Sequence, residues 1–185
     1  MSYYTIKGIV RNGLPILAVT SMIGIMAGQI LNFEIERLVS TPTLLILIPA
    51  LIKIGGDTGS MLGARLSSAF HMGLGSHLRK NPVVRNSVLA ALIVGYTALF
   101  ALSIIVSLVS WLMDIHIGFL TLLKICFIAG TIELVIVFSA TIATAFASHR
   151  FGIDPDDTVI PLIATLGDFV GIMGILATFH ILDMI

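Results

Sequence analysis

Apolar residues along this chain come in long, nearly unbroken runs, without the strict alternation of a half-buried strand. Five such runs emerge, at about 14–32, 43–70, 87–113, 119–148 and 159–182. Each can supply the ~20 residues that carry a helix across a hydrocarbon core of ~30 Å. The first run is longer than the apolar region of a signal peptide, about 7–15 residues, and ends in Gln29, Asn32 and Glu34. It is therefore expected to be a retained helix. Between the runs lie a short head (1–12), a polar connection (Glu34 to Thr41), a loop over 71–87, a tight turn from Asp114 to Gly118, and the loop HRFGIDPDDT over 149–158. The pattern predicts an all-α integral membrane protein, with residues 1–185 forming one five-span domain and no soluble domain before or after it.

Composition sharpens this picture. The chain is 57% hydrophobic and 11% charged, against about 25% charged in soluble domains. A globule of this size cannot hide so much apolar surface, so its solvent is lipid. Ten basic and ten acidic residues cancel, which argues against a nucleic-acid partner. Cys126 is the only cysteine, excluding an internal disulfide or a cysteine metal site. Lys7, Arg11, Arg79, Lys80, Arg85 and Arg150 fall on one side of the five spans, and Arg37 and Lys124 on the other. That six-to-two asymmetry predicts a cytoplasmic amino terminus and an external carboxyl terminus in the cell or plasma membrane.

The charges inside the runs carry the chemistry. The second run contains PALIKIGGDTGSMLGARLSSA (49–69), with Asp57 at membrane depth. Burying such a group costs roughly 2.5–3.5 kcal/mol, so it marks function by default. Gly55 and Gly56 beside it let backbone or an ion approach, and the segment is expected to break the helix and expose carbonyls to a cavity. Asp168 lies nine residues into the fifth run, near the midplane. The second and fifth runs cross in opposite directions, so Asp57 and Asp168 can converge. Pro161, Thr165 and Asp168 share one helical face. The ligand candidates are Asp168, Asp57, Gly56, Gly55 and Thr165, with Glu133, Thr58 and Ser60 as further pathway candidates. Two bland alternatives stand beside them: Asp168 pairs with Lys53 or Lys124, and Glu133 is a paired structural charge. Lys124, near a helix end, can also snorkel. Four-residue glycine spacings at Gly24/Gly28, Gly55/Gly59/Gly63 and Gly167/Gly171 predict close helix seams. The oxygen donors suit magnesium, a hard cation that keeps several waters and uses one or two carboxylates. Zinc or copper would call for His or Cys, yet His71, His77, His116, His149 and His180 all sit at run ends or in loops.

Two of these segments carry a resemblance. IPALIKIGGDTGSMLGARLSSAFHMG and GIDPDDTVIPLIATLGDFVGI resemble the second- and fifth-helix motifs of the MgtE-type magnesium channel and transporter family. The ARLSS and DPDD forms are more like the related solute-carrier divalent-cation transporters than like the bacterial channels. The resemblance implies a five-helix domain, dimerised around a central divalent-cation pathway, with Mg2+ as the transported ion and no organic cofactor. It further implies that Asp168 is the principal ion-binding carboxylate and that Gly55, Gly56 and Asp57 face the pathway. Position 57 is Asp where the bacterial channels typically have Asn. Their cytoplasmic magnesium-sensing region has no counterpart here, and the solute-carrier relatives carry the unit twice where this chain has it once. The expected partners are a divalent ion, lipid and a second copy of the chain. The rival readings are a non-transporting membrane subunit and, from the DPDD run (154–157), a magnesium-dependent membrane hydrolase.

Overall fold

A computed structural model describes residues 6–39, 42–73, 82–115, 117–151 and 155–182. Among these residues the chain is all helical: α1 (Ile6–Phe33), α2 (Ile35–Val39), α3 (Pro42–His71), α4 (Pro82–Leu112), α5 (Phe119–Arg150) and α6 (Pro155–Ile181). Five helices, all but the short α2, are long and apolar enough to cross a membrane. The helices outrun the apolar stretches at several ends. Residues 6–12, expected in the polar head, belong to α1, and the connection after it contains α2. A helix satisfies its own backbone wherever it goes, so it continues past the lipid-matched segment that hydropathy detects.

Local chemistry explains the boundaries. Pro42, Pro82 and Pro155 each open a helix, at the position where a missing N–H costs nothing. α3 ends with Gly73 at φ 74°, its N–H donating 2.9 Å to the Phe70 carbonyl. α4 ends in the expected tight turn. The Ile115 N–H donates 2.9 Å to the Ser110 carbonyl and the Asp114 N–H donates 3.2 Å to that of Trp111, with Asp114 left-handed at φ 59°. This is a Schellman closure, in which a short polar side chain tolerates the conformation usually given to glycine. His77, Arg79 and Lys80 of the 71–87 loop, and His116, lie outside the described residues.

α3 is the hub, packed against α4, α5 and α6, while α1 leans on α6 and α2 alone among the longer contacts. α3 and α6 run antiparallel, with Ile52 at Gly171, Gly56 at Gly167 and Gly63 at Val159. α3 and α5 run parallel, with Gly55 at Glu133, Gly59 at Val137 and Gly63 at Thr141. These registers fit five spans that alternate in direction. The core between them holds Leu47, Leu51, Leu62, Leu66, Leu99, Leu122, Leu134 and Ile163, all fully buried. Lipid offers no hydrophobic gain for helix association, so such bundles rest on close packing and polar contacts. The expected seams at Gly55/Gly59/Gly63 and Gly167/Gly171 are present. Gly24 and Gly28 differ: a side-chain carbon at either would meet nothing within 4 Å, so they form no seam among the described residues. α1 carries them on a face that this chain leaves open.

Candidate cation site

The outward face of α3 is where chemistry and lipid conflict. Leu45, Pro49, Lys53, Asp57, Arg65 and Ser68 are exposed, a stripe at spacings of four, then eight across half-buried Met61, then three along one side of the helix. Three of the six can bear charge at or near membrane depth. Lys53 Nζ lies 3.5 Å from Asp57 Oδ1, with the two side chains 56% and 67% exposed.

Asp168 joins them from α6. A close backbone contact brings Gly167 onto Gly56, where even a methyl group on Gly167 would overlap it. Each glycine sits one residue before a carboxylate, so the contact sets Asp57 and Asp168 beside one groove between α3 and α6. Asp168 is half-buried, and both Lys53 and Asp57 are near enough to act electrostatically on its carboxylate. Thr165, one turn earlier on α6, is also half-buried and donates to the Pro161 carbonyl at 3.0 Å. That donation leaves the hydroxyl lone pairs free to face a cation.

The remaining candidates separate from this groove. α3 runs as an uninterrupted helix through Gly55 and Gly56, which corrects the expectation of a broken segment with free carbonyls. The glycines serve close packing instead: Gly56 admits α6, and a side chain at Gly55 would overlap the Glu133 carboxyl. Thr58 points inward, 6% exposed, donating 2.6 Å to the Ile54 carbonyl. Ser60 ties α3 to α6 by donating 3.3 Å to the Ile160 carbonyl. Glu133 is fully buried behind α3, and neither of its oxygens has a well-formed hydrogen-bond partner. It is still within electrostatic range of Asp168. Lys124 is exposed near the start of α5; Lys53 is the cation whose charge reaches Asp168.

Sequence reasoning treated Lys53 only as an alternative partner for Asp168. The Lys–x–x–x–Asp spacing from 53 to 57 was the signal for its pairing with Asp57. Among the described residues, no three His, Cys, Asp or Glu side chains gather as a ligand group. The described residues therefore offer two carboxylates, exposed Asp57 and half-buried Asp168, and no closed metal cage.

Fold and groove together define an integral membrane helical bundle with ionisable groups at membrane depth. Residues 48–178 match the family model described as MgtE, divalent cation transporter, and the chain belongs to that family. No curated protein and no solved structure matches it. The family is one of transporters, not enzymes.

Proposed function

We propose that this protein transports divalent cations, Mg2+ foremost, along the α3–α6 groove, with Asp168 and Asp57 as the carboxylates that hold the hydrated ion. The observation that supports this reading is the Gly56–Gly167 contact between two spans, each glycine preceding a carboxylate, with Asp57 near enough to act electrostatically on Asp168. Magnesium surrenders water reluctantly and is held by one or two carboxylates; Thr165 supplies a neutral oxygen alongside. Gly55 and Gly56 contribute by admitting close neighbours, and Ser60 by tying the two helices.

The protein acts as a homodimer. Lipid cannot solvate the Lys53–Asp57–Arg65 stripe, whereas a second copy across a twofold axis would cover it and bring two pairs of carboxylates to one pathway. Crosslinking in mild detergent should yield two chains, and a fully active monomer in nanodiscs would refute the dimer. The amino terminus is cytoplasmic and the carboxyl terminus external, as the Lys/Arg distribution favours. Mg2+ flux into proteoliposomes, wild type beside Asp168→Asn, tests the central claim. A folded variant with undiminished flux would remove Asp168 from the pathway. Absence of flux in the wild type would favour a non-transporting subunit.

A further inference from the structure

We infer that Lys53 is a tethered counter-ion of the carboxylate pair, which an entering cation must displace, and that it sets the preference for divalent over monovalent ions. This rests on the reading of the α3–α6 groove as the cation site.

Lys53 lies eleven residues into the thirty-residue α3, about 16 Å from its start. A lysine in a spanning helix ordinarily extends its ammonium toward the nearer interface. For Lys53 that is the amino end of α3, the direction in which helical side chains already lean. Its ammonium lies 3.5 Å from the carboxylate of Asp57, the residue one turn further along α3. Helix stability gives little reason for the pair, because lysine preceding the acid at four residues is the weaker of the two orders. What the position does provide is a positive charge felt by both groove carboxylates, Asp57 at ion-pair distance and Asp168 at longer range.

The charge balance follows. Asp57 and Asp168 bring two negative charges and Lys53 returns one positive charge to them. A monovalent ion entering the groove replaces a cation of equal charge that is already tethered there. A divalent ion is attracted twice as strongly at the same distance and neutralises both carboxylates once the ammonium leaves. The four-carbon stem can swing away without backbone movement.

The test is Mg2+ uptake into proteoliposomes at increasing Na+, comparing wild type with Lys53→Met and Lys53→Arg. Wild type and Lys53→Arg should be insensitive to Na+. Lys53→Met should reach half-saturation at a Mg2+ concentration lower by on the order of tenfold, and Na+ should now inhibit it. If either quantity is unchanged in Lys53→Met, the proposal is overturned. If that variant does not stay monodisperse in detergent, Lys53→Gln carries the same two expectations. Asp168→Asn in the same assay separates the two ideas. Uptake that depends on Asp168 but ignores Lys53 sinks the counter-ion alone, whereas uptake indifferent to Asp168 sinks the groove reading.

Discussion

The two sides of α3 handle a carboxylate in opposite ways. On the groove side, Asp57 is 67% exposed and paired with Lys53, with half-buried Asp168 close by on α6. On the α5 side, Glu133 is wholly enclosed, pressed against Gly55 with no good hydrogen-bond partner. An exposed charged stripe is tolerable in a membrane only if water, an ion or another chain covers it. A sealed carboxyl without a partner carries the cost of an unmade hydrogen bond, about 1–3 kcal/mol. The comparison teaches that membrane depth alone does not identify a transport ligand. In the proposed pathway, the side of the helix decides whether an ion can arrive.

The largest effect should come from the contact that creates the groove. Gly167→Leu forces a branched side chain into the Gly56 backbone, which has no rotamer with which to yield. The bundle should lose its monodisperse peak and all flux. A folded Gly167→Leu protein would mean that α3 and α6 lie farther apart than described, and the groove would lose its basis.

Asp168→Asn should come next, nearly abolishing Mg2+ uptake while the protein remains folded by size-exclusion and circular dichroism. Unfolding of this variant would instead make Asp168 a structural partner of Lys53. Asp57→Asn keeps shape and an oxygen but removes one negative charge per chain. Half-saturation should rise about tenfold, equivalent to about 1.4 kcal/mol, with maximal flux largely kept. Asp57→Leu removes the oxygen too and should cost more. An unchanged Asp57→Asn affinity would take Asp57 out of the pathway.

Glu133→Gln should have the smallest effect on transport, within about threefold of wild type, since an amide of the same shape replaces a carboxyl sealed away from the proposed groove. Thermal stability should change little. Loss of uptake at normal stability would break the comparison outright, by making the sealed carboxyl part of the route.

Much of this was legible before any fold existed. Five apolar runs, each bounded by polar residues and several opened by proline, leave lipid-spanning helices as the only economical solution, because backbone polar groups in hydrocarbon must be satisfied within the segment. That Asp57 and Asp168 meet at one level of the bundle followed from counting residues along opposed spans. Counting could not say which way a side chain points once helices pack. Gly55 and Gly56 illustrate this: their sequence suggested a broken helix, yet the helix is intact and their missing side chains make room for Glu133 and for Gly167. Glu133 and Asp57 look alike in sequence, two acids in apolar runs. Only the registers of α3 against α5 and α6 separated the sealed one from the open one. The register of α3 against α6 also brought Asp168 within electrostatic reach of Lys53 and Asp57, because close approach of two helices depends on the shapes of both surfaces at once, and neither surface is visible from its own run of residues.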